Sequence, residues 1–241
     1  MSNALLVARR ELSAYLSSLL GFIVIAGALL GEGIYFNAMA LGTTAKMSSE
    51  VLRELFNGLT GFTMVVAIIL SMRLLAGERE QGTMVLLNTA PIKDGEIVAG
   101  KFLAALGLLT AKLVLTLHMP LLVAINGKVT AGHILVGYAG VFLLGAAALA
   151  VGMFGSALAK NQILAVVIGG LLLAVLVLLW MVARISDPPL NTFISALAIH
   201  HERQRPFMAG VLKLENVVYY VGLTYFFLLA ATKTLEARRW R

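Results

Sequence analysis

The apolar stretch ILAVVIGGLLLAVLVLLWMVARI, from Ile163 to Ile185, decides the class of fold to which this chain belongs. Its one charged residue is Arg184, next to its end. Because an α-helix rises about 1.5 Å per residue, about 20 apolar residues are needed to cross a bilayer core of roughly 30 Å. The stretch is therefore predicted to be a transmembrane helix.

The composition extends this interpretation to the whole chain. Of its 241 residues, 60% are hydrophobic and 13% are charged, and the mean hydropathy is +0.92. Soluble domains are about 50% apolar and about 25% charged, and a soluble core could not bury this much apolar surface. We therefore expect an all-α integral membrane protein that forms a single transmembrane domain over residues 1–241.

The charge pattern does not indicate nucleic-acid binding, although the net charge is +7 and the pI is about 9.9. The cations lie at the ends of apolar runs, without a basic stripe or interleaved aromatic residues. Cations in these places orient helices in a membrane. The absence of cysteine excludes disulfides, thiol catalysis and cysteine-ligated metals.

The length criterion predicts six transmembrane helices. Their approximate bounds are 16–40, 58–75, 97–125, 131–158, 163–185 and 217–234. Lys and Arg are more frequent on the side that then carries both ends of the chain, and that side is usually the cytoplasm. We therefore expect both termini to be cytoplasmic.

Two segments outside these helices have amphipathic patterns. In residues 3–15, a predicted elbow helix, Leu5, Ala8 and Leu12 share one helical face, which suits a helix lying in the membrane interface. After Pro188 and Pro189, which end the fifth span, residues 190–214 are semi-polar and too broken to cross. Two short re-entrant helices in the outer leaflet are expected there.

Between the second and third spans lies the charged stretch LLAGEREQGTMVLLNTAPI, from Leu74 to Ile92. Gly77 can end the second span, and residues 78–80 are expected to face the cytoplasm. Gly82 and Thr83 then give a turn before the apolar residues 84–87. Two interpretations stay open at this point: a short helix that docks on a partner, or an ordinary cytoplasmic loop.

No catalytic, metal or cofactor site is predicted in this chain. The segment GEIVAGKF, from Gly95 to Phe102, resembles a phosphate-binding loop but has Phe102 in place of the required Ser or Thr. We interpret Gly100 as a close-packing residue and Lys101 as a side chain that reaches the interface. The run His200-His201-Glu202 lacks a third ligand at helical spacing, so a solvated outer turn is expected.

Three ionisable residues fall inside predicted spans, where burial of charge is expensive. Glu32 lies in the first span, and Lys112 and His118 lie in the third. One hypothesis is that all three face a polar pathway or one another. The other is that Glu32 and Lys112 form a structural ion pair, or that Lys112 reaches the interface through helix tilt.

Small residues recur in the fourth predicted span. Gly152 and Ser156 form a small-xxx-small pair, which allows helices to approach closely. The pattern fits packing inside one chain or between two copies.

The stretch GEREQGTMVLLNTAPIKDGEIVAGKF, residues 77–102, resembles the coupling-helix signature of permease subunits of type-2 ABC exporters. One departure is Val85, where an acidic residue is usual. The matching residues are Glu78, Arg79, Glu80, Gly82, Thr83, Leu86, Leu87, Thr89, Pro91, Gly100 and Lys101.

A second resemblance covers residues 200–240. It is to gliding-motility-type permeases of the same class, with the copper-maturation type also close. The departures are His201, where an aromatic residue is common, and Asn216, where an acidic residue is usual. The matching residues are Glu202, Gly210, Val211, Val218, Tyr219 and 236–240.

The resemblance implies a multi-pass subunit of the bacterial inner membrane, without enzymatic activity of its own. A second permease copy, identical or related, would complete a dimer on two separate ATP-binding subunits, which would hold ATP and Mg. The coupling helix, about 78–90, would dock on them. Glu78 and Glu80 would set the register, and Met84, Leu86 and Leu87 would supply the buried contact. The other implied contact residues are Arg79, Gly82, Thr83 and Pro91.

The implied function is export of a substrate, or its extraction from the membrane, driven by ATP. One alternative is force transmission to an extracytoplasmic accessory protein without transport. A less favoured alternative is an ion-coupled secondary transporter that uses Glu32 and Lys112 directly. That class predicts inverted repeats, and the sequence has none. Membrane lipid is an expected partner in every case.

Overall fold

The computed structural model describes residues 3–42, 46–84 and 92–239, with the side chains of Leu20, Asn126 and Arg239 left aside. The regular secondary structure of these residues is entirely helical, without a strand. Six helical segments in this part are long and apolar enough to cross a membrane, which confirms the predicted all-α membrane class. They are Gly21–Leu41, Ser48–Glu80, Asp94–Ile125, Ala131–Leu158, Gln162–Ile185 and Leu214–Arg238.

The individual helices are numbered in chain order. They are α1 (Asn3–Leu16), α2 (Leu19–Tyr35), α3 (Ser48–Met72), α4 (Ala76–Glu80), α5 (Asp94–Leu115), α6 (His118–Asn126), α7 (Ala131–Leu158), α8 (Gln162–Ile185), α9 (Leu190–Leu197), α10 (His201–Met208) and α11 (Leu214–Arg239). A π-helical turn, Phe36–Leu41, extends α2.

The amphipathic helix α1 packs against α5 through a face that overlaps in part with the predicted one, since Ala8 is buried and Leu12 packs against the core. Val7, Ala8 and Tyr15 are buried, whereas Leu5 and Leu16 are about half exposed. The contact is close because α5 has Gly100 there: a Cβ at this position would lie 2.7 Å from the Cβ of Val7. The predicted close-packing role of Gly100 is confirmed.

Two predicted spans begin elsewhere in the structure. The helix predicted over 16–40 is interrupted, because Ser18 caps the start of α2 by accepting a hydrogen bond from the Gly21 N–H at 3.2 Å. The span predicted from residue 58 begins at Ser48 as α3. The prediction missed this start because charged residues interrupt the apolar run there, although Leu52 and Leu55 share a buried face.

The third predicted span, 97–125, is also interrupted. Helix α5 ends at Leu115 and α6 begins at His118. The break lies four residues before Pro120, whose ring would clash with the carbonyl of Thr116 in a continuous helix. The Thr116 hydroxyl donates instead to the Leu113 carbonyl at 2.7 Å and is 3.0 Å from the Tyr138 hydroxyl.

Helix α7 is the centre of the fold and packs against α3, α8 and α11. Its glycines meet neighbouring helices directly. A Cβ at Gly152 would lie 2.1 Å from the Ser71 hydroxyl oxygen, and one at Gly155 would lie 2.6 Å from the Cα of Gly169. The small-residue pattern of this helix is therefore used for packing inside the chain.

The connection before the last span contains the short helices α9 and α10. Helix α9 has no buried residue, whereas α10 buries Gln204 and Phe207. Residues 200–202 are partly or fully exposed, as expected, and the ring of His201 also stacks on Trp180 with ring centroids 4.1 Å apart. Two adjacent large rings shield each other from water, which favours this contact over exposure.

Candidate coupling site

The segment Ala76–Met84 contains the described part of the predicted coupling helix. It consists of α4 and a turn in which Gly82 has a φ of +71°, a backbone conformation that favours glycine. Leu86, Leu87 and Pro91, which were predicted to contact the ATP-binding subunit, lie outside the described residues.

Ser156 of α7 holds the junction between α3 and α4. Its hydroxyl oxygen accepts hydrogen bonds from the backbone N–H groups of Leu75, at 3.2 Å, and Ala76, at 2.9 Å. The same hydroxyl is within bonding distance of the Met72 carbonyl, at 3.2 Å. These are groups that a helix end leaves without an intrahelical partner. A fully buried serine thus fixes the bend between α3 and α4 against the central helix.

Arg79 connects the segment to the end of α7. Its Nη1 donates to the carbonyl oxygens of Ser156, Ala157 and Ala159, at 3.3, 2.7 and 2.6 Å. The last carbonyls of a helix lack intrahelical donors and carry a partial negative charge, so a guanidinium is stabilising there. Arg238 of α11 adds a further bond of 2.6 Å to the Leu158 carbonyl.

Glu80 extends the contact to the beginning of α8. Its Oε2 accepts a hydrogen bond from the backbone N–H of Gln162, the first residue of α8, at 3.2 Å. A carboxylate is favourable at a helix N-terminus because the free N–H groups there carry partial positive charge. Helix α4 is therefore bonded to two successive membrane-spanning helices through two adjacent side chains.

Glu78 connects the same segment to α1 and α5. Its Oε1 accepts from the Lys101 ammonium of α5 at 2.8 Å, and that ammonium also donates to Glu11 of α1 at 2.9 Å. Thr83 closes the turn by donating its hydroxyl hydrogen to Glu78. Arg10 pairs with Glu11 at 2.9 Å and approaches Glu78 at 3.6 Å.

The interpretation of Lys101 as an interface side chain is wrong. The residue is 1% exposed and lies between two carboxylates under α1. A buried ammonium is stable only when it is paired, and both partners come from helices distant in the sequence. The sequence signal was limited to a lysine beside a close-packing glycine.

The three charged residues of the predicted docking surface are thus bonded within this chain. Glu78 and Arg79 are half-buried, and Glu80 is exposed while holding Gln162. Gly82 is exposed, and Met84 packs partly against the hydrophobic core. The role of these residues in docking stays a prediction, but an organising role inside the subunit is visible.

A second polar cluster lies within the helical bundle. Lys112 of α5 forms an ion pair with Glu32 of α2 and donates to the Thr63 hydroxyl of α3 at 3.1 Å. Both charged side chains are buried, and within the described residues Glu32 Oε2 has no hydrogen-bond partner. The structure therefore shows the ion-pair arrangement, and it adds Thr63, which sequence reasoning did not consider.

His118 does not join this pair. It is exposed at the beginning of α6, and its Nδ1 lies 2.8 Å from the Leu115 carbonyl oxygen, one turn earlier in the chain. The break before Pro120 places the imidazole at this helix end. A pathway that includes His118 remains a hypothesis without a contact to support it.

Comparison with known proteins identifies the family of this sequence. Residues 12–232 match the sequence model of a family described as ABC-2 family transporter protein. No curated protein matches the chain. The matched range contains the Ala76–Met84 segment, Lys101, the Glu32–Lys112 pair and the helices α2 to α10, whereas Arg10 and Glu11 precede it.

Proposed function

Because this chain belongs to the ABC-2 transporter family, we propose that it is the permease subunit that converts ATP binding into movement of a substrate. Membership makes the chain a membrane component of an ABC transporter, working with an ATP-binding partner and usually as a dimer. We place it in the bacterial inner membrane with both termini in the cytoplasm. Two ATP-binding subunits and a second permease copy, identical or related, complete the proposed assembly.

The observation that carries this proposal is the set of bonds made by the Ala76–Met84 segment. Ser156 and Arg79 connect it to the central helix α7, and Glu80 connects it to α8. Glu78 connects it through Lys101 to α1 and α5. A displacement of this one segment is thereby transmitted to four helices of the subunit.

In the proposed mechanism the ATP-binding subunits close when they bind ATP and shift the coupling segment that rests on them. Because α4 is bonded to the ends of α7 and α8, these helices follow as a rigid body. The space between two permease copies then changes shape and moves the substrate. ATP and Mg are held by the partner subunits, and this chain contributes no catalytic residue.

We assign the chain to the gliding-motility or copper-maturation type on the C-terminal resemblance. One contact supports the position of the motif. Asn216, which stands where an acidic residue is usual, donates to the Arg203 carbonyl at 2.9 Å and accepts from its guanidinium at 3.4 Å. An amide can both donate and accept, so it fills both bonds.

Co-purification from native membranes tests the proposed assembly. A tagged chain is expected to bring down an ATP-binding protein in equal molar amount, and the complex is expected to hydrolyse ATP. Recovery of the chain without a stoichiometric ATP-binding protein would exclude the proposed function.

A second function, force transmission to an extracytoplasmic protein, is favoured by one observation. Helix α9 buries no residue, and the apolar side chains of Leu190, Phe193 and Leu197 are exposed on it. These side chains suit a contact with another protein as well as with lipid. Sealed vesicles that hydrolyse ATP without moving any candidate substrate, and that need the accessory protein, would select this function over transport.

A further inference from the structure

A cavity of about 200 Å³ lies between α1, the end of α3 and α4. It is separate from the contacts through which α4 holds α7 and α8. The side chains that give it its chemistry are those of Arg10, Glu11, Tyr15, Arg73, Glu78 and Gln81.

The carboxylates of this cavity are already neutralised. Glu11 and Glu78 both bind the Lys101 ammonium, at 2.9 and 2.8 Å. With Arg10 and Arg73 the cluster has three cations and two carboxylates, which leaves a net charge of +1. An anion that enters therefore meets attraction rather than repulsion.

Arg73 supplies the uncompensated charge. In the part of the chain that the structure describes, its guanidinium forms no ion pair and donates no hydrogen bond. Its guanidinium lies over the ring of Tyr15, 6.0 Å from the ring centroid. That ring is fixed, because the Tyr15 hydroxyl donates to the Leu70 carbonyl at 3.1 Å. The cavity thus contains a positioned arginine with all of its donors available.

We propose that this cavity binds a phosphate group, held between Arg73 and Arg10. A guanidinium presents a planar set of N–H donors that matches phosphate oxygens. The phosphate belongs either to the headgroup of an anionic phospholipid or to free phosphate, and the position of the cavity favours the lipid. Arg73 directly follows the last residue of the span α3, and α1, which lines the same cavity, exposes the apolar side chains of Leu5 and Leu16. Basic pockets between helices at a membrane surface commonly take lipid headgroups.

The test is ligand binding to the full chain, purified in detergent together with any ATP-binding subunit that accompanies it. The probes are dioctanoyl phosphatidylglycerol, dioctanoylglycerol, which has the same tails without phosphate, and inorganic phosphate. Native mass spectrometry or calorimetry measures each affinity in the absence of ATP. The result is thus independent of the proposed coupling role.

Phosphatidylglycerol is expected to bind, and dioctanoylglycerol, which lacks the phosphate, is expected not to bind. Arg73→Gln is expected to weaken binding about tenfold or more, since a bond to a charged group is lost. Arg10→Gln should act in the same direction, and Arg73→Lys should retain part of the affinity because it keeps the charge. Arg53→Gln is the matched control, because Arg53 is an exposed arginine at the other end of the same helix.

Competition by inorganic phosphate, lost in Arg73→Gln, would support the site and identify free phosphate as its ligand. The proposal is overturned if phosphatidylglycerol binds equally to the wild type, Arg73→Gln and Arg10→Gln. It is also overturned if dioctanoylglycerol binds as tightly as the phospholipid. Partial binding by Arg73→Lys would show that a loss of binding in the glutamine variants comes from the lost charge and not from misfolding.

Discussion

The guanidinium of Arg79 donates a hydrogen bond of 2.6 Å to the carbonyl oxygen of Ala159, a residue 80 positions further along the chain. This bond joins the segment expected to contact an ATP-binding subunit to the end of the most buried helix of the fold. The functional question is therefore whether the segment and the helix move together.

Arg79→Gln is expected to uncouple the two elements. The variant loses charge-assisted bonds to three carbonyls, each worth about 1.5–3 kcal/mol, although part of this is replaced by water because Arg79 is only half-buried. We expect lower thermal stability and a loss of ATPase stimulation in the reconstituted complex. Lys160→Gln is the control, because Lys160 is an exposed cation next to Ala159, in the loop between α7 and α8. Equal stimulation in wild type, Arg79→Gln and Lys160→Gln would contradict the transmission role.

Gly82→Pro is expected to abolish ATPase stimulation while the chain still inserts in the membrane. Proline fixes φ near −65°, whereas Gly82 has a φ of +71°, so the turn after α4 cannot form. Gly82→Asn is the matched control, because asparagine tolerates a positive φ better than most residues. Membrane insertion is measured by fractionation and stimulation by phosphate release.

Leu86→Asp tests the predicted docking contact, which lies outside the described residues. Burial of a leucine side chain contributes about 1.5–3 kcal/mol, and an aspartate there would reverse this contribution. We expect the variant to insert normally and to lose both the ATP-binding subunit in co-purification and ATPase stimulation. Full retention of both would show that the docking surface lies elsewhere.

The Glu32–Lys112 pair is expected to behave as a unit. Glu32→Leu or Lys112→Met alone leaves one buried charge without its partner, which costs about 3–5 kcal/mol. The double variant is expected to recover most of this loss, because no buried charge remains. Thermal unfolding of the wild type, both single variants and the double variant gives the coupling energy. Additive losses would mean that the two groups do not stabilise each other.

His201 is expected to make the stability of the folded chain depend on pH. Burial, followed by the charges of Arg205 and Arg184, lowers the pKa of His201 below its ordinary value of about 6.5. The unfolded chain therefore binds this proton more readily than the folded chain. The contribution of neutral His201 to the free energy of unfolding is complete above the ordinary pKa. It decreases as the pH falls through the ordinary pKa towards the pKa of the folded state.

The measurement is the midpoint of thermal unfolding at pH 7.5 and at pH 5.5. His201→Gln is expected to reduce the difference between the two unfolding midpoints, and His118→Gln, at the exposed beginning of α6, is the control that is expected to leave it unchanged. An identical difference in the wild type and His201→Gln would exclude a contribution from His201.

The sequence was sufficient to predict the helical membrane class, because long apolar runs have one stable arrangement in a bilayer. It also limited Glu32 and Lys112 to a few arrangements, since an ionised group in a span needs a partner or a route to water. Pro120 is also a local signal for the interruption between α5 and α6, but the single span predicted over 97–125 did not use it.

The contacts of Arg79 and Lys101 could not be predicted in the same way. The acceptors of Arg79 are backbone carbonyls, which every residue has, so no sequence pattern distinguishes Ala157 or Ala159. Lys101 depends on carboxylates brought by α1 and α4, which meet only after the helices have packed. Both side chains resemble ordinary surface cations until the tertiary structure is known.

The contact between Gly155 and Gly169 limits the ways in which the subunit can change shape. No side chain separates α7 from α8 there, since a single added methyl group would lie 2.6 Å from the facing Cα. Such an interface has no layer of side chains that could exchange rotamers and permit sliding. We therefore expect α7 and α8 to move as one unit, and we expect gating at surfaces where flexible side chains separate the helices, such as those around α2 and α9.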